Sequence, residues 1–325
     1  MPGFTTHYIF GMKAYNDMPF TPLKHTIAKY RWLYQLGLQG PDMFFYNIPI
    51  LRHRDYRNVG SYMHEHKVNA FFECCLRRIG TIRSRQQQEE AISYLAGFIN
   101  HYIADSICHP YVYGRIGYPV DAPTSMHHGM HAHLENELDA ILLWKYKKKK
   151  PSEFNQTATI CLNGQEIQFI SHFLASCINE TYYPITYRNN FQVTPAMVHR
   201  SIWALRFGCR TLSDKNGKKK FGIAQVESIF VNHPVASAKM VTDSVTDYRS
   251  SCNLNHEAWG NPWDPTRVST ASFVDLFHET LDKCSRVYAL LNSAVTDNMP
   301  LDKQDLSPRL AELGNESYHS GLPVE

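Results

Sequence analysis

Residues 94–112 read Tyr-Leu-Ala-Gly-Phe-Ile-Asn-His-Tyr-Ile-Ala-Asp-Ser-Ile-Cys-His-Pro-Tyr-Val. This is an apolar helical pattern interrupted by ionisable groups at one spacing: His101, Asp105 and His109. On an α-helix, residues four apart stack along one face. A second column follows in His131, Glu135 and Asp139. Tyr94, Leu95, Phe98, Ile99, Tyr102, Ile103 and Ile107 leave the first helix little polar face for a solvated charge. Ionisable groups in such surroundings need partners. A metal ion is one such partner, and imidazole and carboxylate are zinc ligands. A lone His-x-x-x-Asp is ordinarily a solvated pair or a capped turn. Its repetition with the same ligand types favours two packed helices whose columns face each other across a site for more than one metal.

The rest of the chain reads as mainly helical. Thr5 or Thr6 is expected to cap a first helix through His7, Ile9, Phe10 and Met12. Apolar spacing predicts helices over 23–38, 60–79, 86–108, 126–147, 169–181, 195–212 and 272–291. Pro110 is expected to end or sharply turn the first motif helix. Gly40-Pro41-Asp42 breaks the pattern, and Gly114–Thr124 reads as a loop. Thr157–Phe169, with Asn163-Gly164 at its centre, predicts a small β-hairpin insertion. The expected organisation is a single mainly helical domain over 1–296. Its motif-bearing core covers 1–146 and a helical remainder covers 151–296. The segment 297–325 reads as a polar, frayed tail.

Composition excludes several classes. The net charge of +3 over 325 residues gives no strong nucleic-acid or anionic-membrane signal. The runs Lys147–Lys150 and Lys218–Lys220 read as solvated loops. No apolar run is long enough to span a bilayer. Met1–His7 lacks a signal-peptide pattern, so a cytoplasmic location is expected. The eight cysteines form no CxxC pair and are expected to be reduced thiols in the core.

Taken in order, His7, Gly40-Pro41-Asp42, Met63-His64-Glu65, His101-x-x-x-Asp105, His109-Pro110-Tyr111-Val112 and His131-x-x-x-Glu135 resemble the zinc-dependent phospholipase C family, in particular a bacterial, non-secreted branch of it. The same all-α fold serves the single-strand-specific zinc nucleases. The resemblance covers roughly the first 145 residues. It implies an all-α, multi-helix bundle around a cluster of two or three zinc ions. It also implies that His64, His101 and Asp105 hold one ion, and His109, His131 and Glu135 a second. His7 would hold a third, with Asp105 bridging; a carboxylate has two oxygens with which to bridge. Asp42 would be the catalytic residue that orients or deprotonates the attacking water.

Other residues near the motifs have competing readings. His66, His127, His128 and His133 could replace a ligand, though each is expected to be exposed or peripheral. Glu137 lies off the His131 column, and Asp139 continues it and could orient a ligand histidine. Phe44, Phe45 and Tyr46 could line a headgroup pocket or belong to the core. The Asn255–Pro265 segment, with Trp259 and Trp263, could cover the cleft or anchor a structural loop. The leading functional expectation is a metal-dependent phosphoester hydrolase, phospholipase C-like, acting on a phosphoester small molecule or a phospholipid headgroup. A nuclease, nucleotidase or other phosphatase on the same fold is the second. A non-enzymatic, metal-stabilised protein that binds lipid or a partner is the third.

Overall fold

A computed structural model of the chain describes residues 3–47, 58–186, 191–212, 214, 216–229, 237–245 and 247–325. Lys215, close before the Lys218–Lys220 run in the sequence, lies outside the described residues. The fold is mainly helical, with a two-stranded antiparallel hairpin. Helix α1 spans Phe4–Asp17, α2 Pro22–Lys29 and α3 Arg31–Gly37. A 3₁₀ turn, Gly40–Tyr46, carries Asp42. Helices α4 (Val59–Glu65) and α5 (Val68–Thr81) follow. The pattern predicts one helix over 60–79, but Lys67 adopts a left-handed φ of 48° and divides it. Tyr30 likewise separates α2 from α3 within the expected 23–38 helix.

The organising element is α6, Arg85–Arg115. Ser84 caps its start by accepting from the Gln87 amide. Thirty-one residues give a rod of about 47 Å. Nearly every residue from Glu90 to Val112 is buried, so the helix is covered on all sides. That burial explains why Pro110 does not stop it. The missing amide and the ring clash cost about 3 kcal/mol in a helix interior, but Cys108, His109, Tyr111 and Val112 are all buried around it. Helices α1 and α3 and the late helix α12 (Phe273–Thr296) pack directly on α6. Helix α7, Ser125–Lys147, carries the second motif and lies against α1 and α6.

The hairpin expected at Thr157–Phe169 is absent. Gln156–Thr159 is a 3₁₀ turn, and Asn163-Gly164 begins helix α8, Gly164–Tyr182. The Asn163 side chain accepts from the Glu166 amide while the Glu166 carboxylate accepts from the Asn163 amide. This reciprocal cap satisfies two donors and outcompetes the turn. Helix α9 is Pro195–Leu212. Lys218–Lys220 open helix α10, Lys218–Glu227, and do not lie in a loop. A short turn of helix, α11, covers Tyr248–Ser251. The observed hairpin pairs β1 (Trp259–Asn261) with β2 (Asp264–Ser269), and β1 packs on α6. No helix among the described residues is long and apolar enough to cross a membrane.

The segment after Asp297 is not frayed. A 3₁₀ turn at Leu301–Lys303 packs on α5, and helix α13, Ser307–Leu313, packs on α12. Leu301, Leu306, Leu310, Leu313 and Tyr318 are buried. The closing residues return to the start of α5, where the Lys67 amide donates to the Glu325 carbonyl.

Candidate metal centre

Each sequence-selected side chain is positioned by the element that bears it. His7 comes from the second turn of α1, whose start is held by Asp139: the Thr5 and Thr6 amides donate to its two oxygens at 3.1 and 2.7 Å. Asp139 therefore caps the helix that bears His7, its hydrogen bonds among the described residues going to amides and not to a histidine. Asp42 comes from the 3₁₀ turn, His64 from α4, His101, Asp105 and His109 from α6, and His131 and Glu135 from α7. Gly40 lets the Asp42 turn approach α6. It has φ +46°, and a Cβ there would overlap the His101 ring.

The structure brings all eight residues into one continuous cluster. Asp105 is its centre. Its oxygens lie 3.1 Å from His7 Nε2, 3.1 Å from His101 Nε2, 3.6 Å from His64 Nε2 and 3.7 Å from His109 Nδ1. Asp42 Oδ1 lies 3.3 Å from His64 Nε2 and 3.9 Å from His101 Nε2. On the other side, Glu135 Oε1 is 2.6 Å from His131 Nε2 and 3.6 Å from His109 Nε2. Among the described residues, two groups have donor atoms close enough to share an ion: Asp42, His64, His101 and Asp105, and then His109, His131 and Glu135. Asp42, selected for water and not for metal, thus stands among the first group's donor atoms.

The donor set fits a cation. His7 Nε2, His64 Nε2, His101 Nε2, His109 Nε2, both Asp105 oxygens and Asp42 Oδ1 are buried and make no hydrogen bond with any described residue. Each such group in a dry interior costs about 1–3 kcal/mol. So many lone pairs converging on one place is the arrangement a metal satisfies. The remote nitrogens are already committed. His64 Nδ1 donates to the Gly60 carbonyl at 2.7 Å, His101 Nδ1 to Leu38 at 3.1 Å and His109 Nδ1 to Tyr318 at 2.7 Å. A carbonyl only accepts, so in the neutral form of each ring the proton sits on Nδ1 and the Nε2 lone pair faces the cluster.

Electrostatics follow from burial and from the central carboxylate. Burial, with the neighbouring His101, lowers His7 to about 4. Burial opposes charge on His64 as well, but the Asp105 and Asp42 carboxylates outweigh it and raise this ring to about 9. Burial would raise Asp105, yet His101 and His7 hold it well below the usual carboxylate range. Burial pushes Glu135 up and His131 down, each toward its neutral form.

The remaining candidates fall outside the cluster. His66 stacks on Tyr62, His127 closes the cap of α7 with Thr124, and His133 lies 3.6 Å from Glu137. His128 lies beside Tyr118. Glu137 takes a hydrogen bond from Ser251. Phe44 is core, whereas Phe45 is only partly buried and sits beside His64. Trp259 is buried against Tyr111. Trp263 meets Tyr113 edge-on at 4.9 Å, and Tyr113 in turn lies 4.5 Å from the His131 ring. The hairpin thus anchors on α6, and its Trp263 packs on Tyr113 beside His131 of α7.

One residue at the site is absent from the sequence-derived set. His319 stacks on His64 with ring centroids 4.8 Å apart, and it also approaches His109 and Tyr113. A helix-start signal at Ser307-Pro308 and the apolar positions Leu301, Leu306, Leu310 and Leu313 mark the segment as packed. Nothing in local sequence marks His319 itself.

The family profile described as zinc dependent phospholipase C matches residues 6–186, more than half of the chain. No curated protein and no solved structure matches. The matched span contains Asp42 and all seven residues selected as ligands, and it ends before the hairpin and the C-terminal segment.

Proposed function

Because the chain belongs to the zinc-dependent phospholipase C family, and is by that membership a hydrolase, we propose that it cleaves a phosphodiester at a zinc cluster held by the seven ligand residues above, with Asp42 beside it. The observation that carries the reading is the buried, unbonded donor set converging from α1, the Asp42 turn, α4 and α6, with His131 and Glu135 of α7 beside it. His64, His101 and Asp105 would form one ligand set, with His7 sharing Asp105, and His109, His131 and Glu135 the second. Zinc bound there would polarise phosphoryl oxygens and lower the pKa of a coordinated water. Asp42 holds one carboxylate oxygen unbonded toward the donor groups, which suits it to accept the proton of the attacking water. The Nδ1 bonds to Gly60, Leu38 and Tyr318 fix ring orientation before substrate arrives.

Access is from the His131 side. His131 and Glu135 are 13% and 11% exposed, while His7, His64, His101 and His109 are fully buried. Partly exposed Tyr113, Tyr118 and Trp263 gather there. An aromatic wall takes a cationic headgroup by cation–π contact or a nucleobase by stacking. For that reason a nucleotide substrate is the second reading. The test is zinc analysis of the purified protein, followed by turnover of phosphatidylcholine, a chromogenic phosphodiester, a phosphomonoester and single-stranded oligonucleotides. Headgroup release from the lipid is expected. Cleavage of the oligonucleotide alone would establish the second reading, and a zinc-loaded protein that cleaves none of the panel would overturn both.

A further inference from the structure

The last eleven residues are built into the cluster's support. The Tyr318 amide and the Ser317 hydroxyl both donate to the His64 carbonyl. The Tyr318 carbonyl accepts from His109 Nδ1. The Ser320 carbonyl accepts from Asn261 on β1 at 2.7 Å, and Glu316 takes the Tyr102 hydroxyl at 2.6 Å. Gly321, at φ +61°, allows the chain to run against the Ser106 carbonyl and the Pro110 ring of α6. The segment is thus fixed on two of the elements that bear ligands.

His319 lies at the centre of this segment and follows the rule set by the other rings. Its Nδ1 is 3.3 Å from a Glu65 carboxylate oxygen. An ionised carboxylate only accepts, so Nδ1 carries the proton and the Nε2 lone pair is left over. A histidine whose other nitrogen donates to a carboxylate or carbonyl is the usual form of a metal-bound imidazole. The ring lies face to face with His64 and edge-on to His109, next to one ring from each donor group, and its own nitrogens stand just outside both groups. Its side chain is 19% exposed, against 0% for His64 and His109. From this geometry we propose that His319 is a further metal ligand, delivered by the C-terminal segment and oriented by Glu65. The inference rests on the metal reading above and extends it beyond the matched family span.

The experiment uses the full-length protein with zinc alone and with cobalt(II) alone. Zinc content after dialysis, zinc affinity by chelator competition and the cobalt visible spectrum are compared for wild type, His319→Ala and Glu65→Gln. His319→Ala is expected to weaken the most labile zinc by roughly tenfold or more, the usual scale for a lost metal contact, and to change the cobalt spectrum. Added imidazole should restore that spectrum, which a purely structural role would not allow. Glu65→Gln, on a half-exposed side chain, should weaken the same zinc by roughly tenfold or more, the usual loss for a partner that orients a ligand. Wild-type zinc affinity and an unchanged cobalt spectrum in His319→Ala would overturn the inference and leave the seven-ligand reading standing. Should His319→Ala fail to fold, a folded His319→Leu protein with wild-type zinc affinity would overturn it equally. A wild-type protein that takes up no zinc would bring down both readings.

Discussion

Asp42 and Asp105 are both buried carboxylates beside His64 and His101, yet their surroundings ask different things of them. Asp105 faces four imidazoles and is the hub, whereas Asp42 faces only two of them, His64 and His101. Asp42→Asn keeps the shape and removes the base. Turnover is expected to fall by about a hundredfold or more, the range for general base catalysis, with zinc content nearly intact. Asp105→Asn should lose zinc and turnover together. Retained turnover in Asp42→Asn, or retained zinc in Asp105→Asn, would reverse the assignment. His64 supports a second test. In the metal-free protein its carboxylate neighbours raise it to about 9, above the ordinary 6.5, so the ring is protonated at about pH 7. The stability this gives the metal-free fold is complete below the unfolded value and is lost as pH rises through about 9. Zinc must displace that proton. Its affinity should therefore rise between about pH 7 and pH 9, with a proton released on binding. Calorimetric titration of zinc in buffers of different ionisation enthalpy measures the release, and a buffer-independent enthalpy would contradict it.

Among the elements, α1 shows how one helix start controls a ligand. Its first amides are held by Asp139 of α7, so the position of His7 is set by a residue more than a hundred positions away. Burial raises Asp139 to about 6 despite those two hydrogen bonds. Its folded value thus exceeds the ordinary 3.8, and the folded protein binds the proton more tightly than the unfolded chain. Stability from this group is therefore full below about pH 4 and declines as pH rises to about 6. Asp139→Asn keeps an acceptor and removes the titration. Chemical denaturation between about pH 4 and pH 6 should show a shallower fall for the variant than for wild type, and parallel profiles would sink the idea. The motif helices were the most legible elements. A four-residue spacing of ligand types within an apolar run is hard to reconcile with a solvated face, and both helices form where the spacing puts them. Turn signals were less legible. Asn163-Gly164 suits a type I′ turn and a helix start alike, and Glu166, three residues on, decided for the helix.

For the whole molecule, the C-terminal segment is the main difference between expectation and fold. A chain ended at Gly314 would lose the Tyr318 carbonyl that holds His109, both donors to the His64 carbonyl, and buried Tyr318 itself. Burying one large aromatic side chain contributes about 1.5–3 kcal/mol. Such a truncation should lower the melting temperature by several degrees, on the order expected for that loss, and should weaken zinc retention. Wild-type melting and zinc content after truncation would show that the segment is only an ornament on the fold. The sequence by itself determined the helical class, the two ligand columns and the ordered set from His7 to Glu135. Those are local facts, because helical periodicity and residue type suffice to state them. Only the tertiary structure decided that Asp42 stands among donor atoms, that Asp139 caps α1, that Pro110 is carried within α6, and that His319 reaches the cluster. Each of these depends on which surfaces pack together, and packing joins residues that no spacing along the chain relates.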